Sequence, residues 1–345
     1  MEFPKEIQAI AISKTGDLEV VERQTVPFPQ QGPGQFIVKV VYGGVNTIDT
    51  YFRKGLYPIK SFPQVLGNEA AGYIVALPTD PKVLNDPRFK ARGYYVGQRV
   101  GIYGLGAHAE YVASNWVHTF PVPDGIDLAA AAAALLQGLT CITQMTESYN
   151  VQKGDTILVH TVAGGLGLLF TAYAKARGAT VIGTTSSADK AEIAKSFGAD
   201  HVILYPKENT VARVLQLTSG RGVHAVYDGV GKDTFMANFD LVRRKGTLVN
   251  VGNASGPVEP ISPLKLSAKN LKLVRPSMAN YIVTPEEADH YIKELWEAIE
   301  GGLFQLRIEG VFAFSTEGAR KAQKELTTPG GRIAGKLIIK IADEF

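Results

Sequence analysis

The run Val159-His160-Thr161-Val162-Ala163-Gly164-Gly165-Leu166-Gly167 is the segment whose residue types and spacing point most directly to chemistry. It follows a β-branched stretch and opens an apolar, helix-forming one. Glycines at such a turn let the backbone approach a pyrophosphate, whose charge is stabilised by exposed N–H groups and by the helix dipole. The strict G-x-G-x-x-G spacing is not met, because Val162 and Ala163 stand where the early glycines would be. A glycine triplet alone is a weak signal. Its place at the first strand-to-helix turn of a βαβ run strengthens it, and the competing reading is a turn that only lets helix and sheet pack closely. Ala163, Gly164, Gly165 and Leu166 are therefore expected at a pyrophosphate.

The end of the next strand separates the two nicotinamide cofactors. A site selecting NAD places an acid about 20 residues downstream, on the ribose 2′-OH. Counting from Gly164 lands on Thr184, and Thr184-Thr185-Ser186-Ser187 carries hydroxyls and no acid. Lys190 follows and Tyr205 ends the neighbouring strand, a set that suits a 2′-phosphate. The expected cofactor is NADPH, with Gly183, Ser187, Lys190 and Tyr205 around the adenosine phosphate. Asp189 is the contrary residue, read as a first-turn acid beside helix N–H groups; Lys190 taken alone reads equally well as a solvated helix residue. Val251-Gly252-Asn253 closes the last strand of the run and is expected to face the nicotinamide half. Lys336 either reaches the 2′-phosphate or caps a strand.

The elements that position these groups are legible from pattern. Between about residues 151 and 252, short β-branched runs (156–160, 180–184, 201–205, 223–227, 247–251) alternate with helical ones (166–177, 189–197, 210–218, 235–242). Strands spaced by helices of this length form βαβ units and a doubly wound parallel sheet, a Rossmann domain. The first 125 residues differ. Proline and glycine are frequent and the strands lack intervening helices, as in a β-rich, barrel-like domain. The stretch 77–97, with Pro78, Pro81 and Pro87, reads as an exposed loop. Leu128–Leu136 reads as a buried helix leading into the α/β unit, 286–300 as an amphipathic helix, and 336–341 as a strand returning to the first domain. The expected division is 1–127, 128–270 and 271–345, the last completing the first.

The chain has 345 residues, 45% of them apolar and 20% charged, with a net charge of +3, an ordinary globular composition. The length suggests two packed units. A single cysteine, Cys141, excludes an intramolecular disulfide and the multi-cysteine zinc lobes found in some enzymes of this size. The start of the chain lacks the cationic-then-apolar order of a signal peptide and its end is no peroxisomal address, so a cytoplasmic location is expected. The uncharged stretch 156–174 is long enough to raise a membrane span, but its glycines and His160 read better as strand, turn and helix.

Further motifs resemble the quinone oxidoreductase (zeta-crystallin-like) branch of the zinc-free medium-chain dehydrogenases/reductases. They are Gly44-Val45-Asn46-Thr47-Ile48-Asp49-Thr50-Tyr51-Phe52-Arg53-Lys54-Gly55-Leu56-Tyr57-Pro58, Leu66-Gly67-Asn68-Glu69, Leu136-Gln137-Gly138-Leu139-Thr140, Tyr227-Asp228-Gly229-Val230-Gly231-Lys232-Asp233, Val251-Gly252-Asn253-Ala254-Ser255-Gly256 and Arg275-Pro276-Ser277. The resemblance spans essentially the whole chain, departing at the 77–97 stretch and at Val162, where alanine is usual. It implies a GroES-like catalytic domain, a Rossmann domain, and a homodimer built on Rossmann edges. It implies that Asn46, Tyr51 and Tyr57 form the catalytic site, Asn46 fixing the nicotinamide ribose or carboxamide and the tyrosines contacting a quinone and donating a proton. Asp49 would hold the loop by local hydrogen bonds, and Gln137, Thr140 and Arg275 would be neighbours. The two tyrosines read otherwise as aromatic packing.

The resemblance also implies that the positions where zinc members carry a cysteine and a histidine are Asn46 and Asn68, and a neutral amide is a poor zinc ligand. The six histidines form no i, i+3 or i, i+4 pair, so no metal is expected. No Ser/His/Asp, Cys/His or carboxylate pair stands out, and hydride transfer to a quinone needs none: alignment and donors near the developing oxyanion suffice. The expected activity is NADPH-dependent quinone reduction. The alternatives are NADPH-dependent reduction of the activated C=C of enones or alkenals and, more remotely, binding of AU-rich RNA.

Overall fold

A computed structural model describes residues 3–328 and 330–344. Met1, Glu2 and Phe345, on which the reading of the two termini partly rests, lie outside the described residues. Two compact units divide the chain, Met1–Leu136, Ile282–Glu300 and Leu306–Phe345 forming the first, Gln137–Tyr281 and Gly301–Gln305 the second.

The first unit opens with β1 (Glu6–Ile12), β2 (Glu22–Pro27), β3 (Gln35–Val45), β4 (Gln64–Val65), β5 (Glu69–Ala76), β6 (Arg99–Tyr103), β7 (Tyr111–Asn115) and β8 (Thr119–Pro121). β3 and β5 are buried on both faces and pair antiparallel at the centre of the unit. Between β3 and β4 lies the helix Thr47–Arg53, with Asn46 extended at its N-cap.

The stretch 77–97 is largely exposed, as expected, but it is not a plain loop. Two short helices, Pro81–Leu84 and Pro87–Ala91, are each capped by an aspartate, Asp80 and Asp86, and each begins with proline at N1. They carry Phe89 into the core, its ring centroid 5.0 Å from that of Tyr94 and 5.8 Å from those of Phe36 and Trp116. Arg92 ties the segment down. Its Nη1 donates to the carbonyls of Trp116 (2.8 Å) and Thr119 (3.1 Å), and its guanidinium pairs with Asp289 at 2.8 Å. An Asp-Pro signal for a helix start occurs twice here, and the proline count obscured it.

The second unit contains β9 (Thr156–Val159), β10 (Thr180–Thr185), β11 (His201–Leu204), β12 (Val223–Asp228), β13 (Val242–Asn250) and β14 (Lys272–Val274). They form one parallel sheet in the order β11-β10-β9-β12-β13-β14. This is the doubly wound order of a dinucleotide-binding fold, whose direction reverses between β9 and β12. The uncharged stretch 156–174 resolves into β9 and the helix Gly165–Ala176, as read. The helical stretch apolar and long enough to cross a bilayer is instead Leu128–Ser148, and 78% of its most apolar window is buried within the protein. Its last five residues, Gln144–Ser148, form a π-turn.

The chain returns to the first unit through the amphipathic helix Pro285–Glu300, β15 (Ile308–Ala313) and β16 (Lys336–Lys340). β16 pairs antiparallel with β3 and completes a sheet ordered β15-β16-β3-β5-β6-β8, with β7 also on β3. Leu337 and Ile339 join Ile10, Ile12, Val45 and Leu66 in one core cluster of this unit.

Candidate active site

In the first unit the functional side chains hang on the helix Thr47–Arg53 and the ends of β3, β5 and β16. Asp49 accepts from the Asn46 backbone N–H at 2.8 Å, fixing the helix start, and from Asn68 Nδ2 at 2.7 Å. Burial pushes the Asp49 carboxyl above its ordinary range; the nearby His108 and the Asn46 and Asn68 hydrogen bonds oppose that rise by favouring the ionised form. Beyond the helix, Gly55 takes a left-handed conformation, and the N–H groups of Leu56 and Tyr57 fold back onto the Tyr51 carbonyl. That turn brings Tyr57 beside Tyr51, ring centroids 5.3 Å apart and edge to face, and within 5.7 Å of Phe52.

The Asn46 amide has its partners within the same unit. Nδ2 donates to Glu69 Oε1 at 2.7 Å and to the Gly44 carbonyl at 3.3 Å, and Oδ1 accepts from Lys336 Nζ at 2.5 Å. Lys336 also meets Glu69 Oε1 at 2.5 Å, and the other Glu69 oxygen accepts from the Leu136 N–H at 2.6 Å. Lys336 opens β16, and its side chain is 5% exposed, its ammonium meeting Glu69 and Asn46. Desolvating an ammonium and a carboxylate is tolerable only with such a partner. The sequence reading passed over Glu69. The available signal was two opposite charges, Glu69 and Lys336, each at the edge of an otherwise apolar strand.

A metal does not fit here. Asn46 turns amide hydrogens, not lone pairs, toward Glu69 and Gly44, and its oxygen faces an ammonium that would repel a cation. Among the described residues no three His, Cys, Asp or Glu side chains are grouped to hold a metal ion.

In the second unit, the helix Gly165–Ala176 starts at Gly164 with no side-chain cap, so its first N–H groups and the positive end of its dipole are open to an anion. Thr161 enters the turn at φ +53°. Gly167 allows the close approach, since a Cβ there would lie 2.4 Å from the Thr161 carbonyl oxygen. Ala163 is buried and Leu166 half-buried in the same turn.

The remaining predicted cofactor residues divide. Ser187 caps the helix Ala188–Ser196, its hydroxyl accepting from the Lys190 N–H at 3.4 Å, so these two are brought together. Asp189 lies in the first turn. Tyr205 is 48% exposed, and its N–H donates to the Thr185 carbonyl at the end of β10. Gly183 is covered: Val162 lies over it, and a Cβ at 183 would sit 2.5 Å from Val162 Cβ. Its observed role is to make room for valine in the turn. Val251 and Gly252 donate to the Asp228 carbonyl at 2.7 and 3.2 Å, Asn253 follows, and Arg275 Nη1 holds the Val251 carbonyl at 3.0 Å.

A doubly wound sheet with an uncapped helix after β9, in a chain that also carries a β-rich unit with a polar centre, is the layout of a two-domain dehydrogenase. Residues 32–124 match the alcohol dehydrogenase GroES-like domain, and residues 165–300 match the zinc-binding dehydrogenase domain. The quinone oxidoreductase of Pseudomonas aeruginosa is 39% identical over 92% of this chain and 95% of its own length. A 2-haloacrylate reductase of a Burkholderia species is 32% identical over 89% of this chain and 92% of its own. The crystal structure of Escherichia coli quinone oxidoreductase complexed with NADPH superposes with a TM-score of 0.89 at 31% identity, covering 96% of this chain and 99% of that one. The chain belongs to the quinone oxidoreductase branch of the medium-chain dehydrogenases/reductases.

Proposed function

We propose that this protein reduces quinones at the expense of NADPH, by hydride transfer without a metal. The observation that carries the reading is the Asn46, Tyr51 and Tyr57 arrangement, in which two tyrosines meet on a turn anchored beside a fully partnered amide. The uncapped start of the helix Gly165–Ala176 fits a pyrophosphate, with Ala163, Gly164, Gly165 and Leu166 around it. Ser187, Lys190 and Tyr205 would hold the adenosine phosphate, and Val251, Gly252 and Asn253 the nicotinamide half. When bound, NADPH supplies the hydride. The chain's own part is then to align the acceptor, exclude water and stabilise the oxygen that gains charge. The tyrosine hydroxyls would supply the hydrogen bond and the proton, and Asn46 would orient the nicotinamide side of the site.

The test is loss of reduced-nicotinamide absorbance with 1,4-benzoquinone and 9,10-phenanthrenequinone, with and without EDTA, with NADH in place of NADPH, and with an enone. Chelator-insensitive quinone turnover preferring NADPH is the expected result. The second reading, reduction of an activated C=C, draws on the similarity to the 2-haloacrylate reductase. Fast enone turnover without quinone turnover would favour it. We further propose a homodimer paired through β14, an edge strand of the parallel sheet. A cytoplasmic location fits a chain whose one cysteine, the buried Cys141, leaves no intramolecular disulfide to form. Binding of AU-rich RNA is the minor alternative, and a salt-dependent gel shift competed by NADPH would reveal it.

A further inference from the structure

The mechanism above leaves unused a line of polar side chains buried under the C-terminal ends of β10, β9 and β12. Thr184, His160, Asn238 and Asp228 are each at most 5% exposed. Thr184 Oγ1 lies 3.0 Å from His160 Nδ1, His160 Nε2 lies 2.8 Å from Asn238 Oδ1, and Asn238 Nδ2 lies 2.7 Å from Asp228 Oδ2. The carboxylate at one end sets the direction of the whole line. Asp228 can only accept, so Asn238 turns its NH2 toward it and its oxygen toward His160. The imidazole then donates from Nε2 and accepts at Nδ1, and the Thr184 hydroxyl gives its proton to the ring.

Three of the four, Thr184, His160 and Asp228, also hold backbone in or beside the turns that the cofactor reading uses. Thr184, through its carbonyl, accepts from the Val162 N–H at 3.0 Å, and the His160 N–H donates to the Tyr227 carbonyl at 3.0 Å. Asp228 accepts from the N–H groups of Val230 (2.8 Å) and Gly231 (3.2 Å) and from Thr234 Oγ1 (2.8 Å). Its own carbonyl accepts from Val251 and Gly252. One buried line therefore runs from the hydroxyl-rich end of β10, through the residue that opens the glycine turn, to the turns at Gly229–Gly231 and Val251–Gly252.

We infer that His160, Asn238 and Asp228, with Thr184, are positioning residues that hold three cofactor-facing turns, the one after β10, the glycine turn and Val251–Gly252, in one fixed arrangement. The inference rests on the NADPH reading above. A dinucleotide must meet all three turns at once, so a break in the line weakens the binding of the whole cofactor without removing any contact to it.

The experiment measures NADPH affinity by titration calorimetry, thermal melting and steady-state kinetics for wild type, His160→Leu, Asn238→Leu, Thr184→Val and His160→Gln. Glutamine offers a carbonyl to Thr184 and an NH2 to Asn238, so it preserves the direction of the line. The two leucine variants are expected to bind NADPH about tenfold more weakly, the scale of one buried hydrogen bond lost, with KM for NADPH raised and kcat at saturating cofactor within about twofold. His160→Gln is expected to recover most of the affinity. Thr184→Val, which keeps its shape, is expected to lose affinity in the same direction and serves where a leucine variant does not fold. Leucine and valine variants that melt earlier yet bind NADPH as wild type does would overturn the inference and leave the cofactor reading standing. Wild type that does not bind NADPH would overturn that reading, and the inference with it.

Discussion

Lys336→Met puts the buried ion pair of the first unit to a quantitative test. Nζ and Glu69 Oε1 are 2.5 Å apart, with the two side chains 5% and 0% exposed. Removing one partner of such a pair strands the other charge and costs about 3–5 kcal/mol. Glu69 would keep the Asn46 and Leu136 donors, which soften the loss but bring no positive charge. At about 2–4 °C per kcal/mol for a unit of roughly 150–250 residues, the melting temperature should fall by about 6–20 °C. Adding Glu69→Gln removes the stranded charge, so the double variant should recover more than half of the loss. It should not recover all of it, because Asn46 and Leu136 donate to different Glu69 oxygens and a glutamine puts an NH2 in place of one of them. The assay is a double-mutant cycle by thermal and denaturant unfolding. A Lys336→Met protein that melts within about 2 °C of wild type, or a double variant no better than the single one, would refute the pairing argument.

Three further outcomes follow from the geometry. Tyr57→Phe should lower kcat for quinone by about 10²-fold, the scale for one donor at a developing oxyanion, while its melting point stays near wild type because the ring contacts with Tyr51 and Phe52 persist; an unchanged kcat would remove Tyr57 from the proposed site. Gly183→Ala should destabilise by about 1–3 kcal/mol through overpacking, because its Cβ would lie 2.5 Å from Val162 Cβ and Cγ1, and Val162→Ala in the same chain, which removes the two Cγ contacts and leaves the Cβ one, should relieve it only in part; equal denaturant midpoints for the single and double variants would contradict this. His118 and His224 both titrate below the ordinary histidine value, chiefly through burial, so the unfolded chain takes up protons first. Their contribution to stability is therefore full above about pH 6.5 and is lost as pH falls through the lower folded values. His118→Gln should flatten the fall in melting temperature on acidification, and an unchanged slope would refute it.

What was readable in the sequence was whatever short-range pattern controls. The strands and helices of the second unit follow from β-branched runs and helix caps a few residues apart, and the helix Thr210–Leu217, capped by Asn209, falls on the run read at 210–218. Tyr51 and Tyr57 were singled out by the family resemblance of the 44–58 motif, and the turn that joins them became visible only in the structure. The order of the six strands could not be read from period or propensity, since every parallel strand is apolar in the same way. The polar centres were hidden for a related reason. Lys336 and Asn46 are 290 residues apart, and His160 and Asn238 are 78. Nothing local distinguishes a lysine that will meet a buried glutamate from one that will be solvated. The Leu77–Gly97 segment failed differently: its prolines were counted as breakers, when Pro81 and Pro87 sit at the one helical position where a missing N–H costs nothing.

Glu69 and Asp228 are carboxylates buried in different ways, and the difference says what each cluster controls. Glu69 is balanced by an ammonium, a point charge that tolerates rotation of its partner, so the energy resides mainly in charge neutralisation. Asp228 is held by oriented neutral donors: two backbone N–H groups, a hydroxyl and an amide. Such donors stabilise the charge only while their bonds point at it, so the carboxylate in turn fixes the loops that carry them. Losing Lys336 should accordingly register first as lost stability, and losing Asn238 first as lost cofactor affinity. That asymmetry separates the two arguments experimentally. Were Asn238→Leu to cost as much stability as Lys336→Met while leaving NADPH affinity untouched, orientation would have no part in the second unit's network, and Asp228 would be one more buried charge that the core has to accommodate.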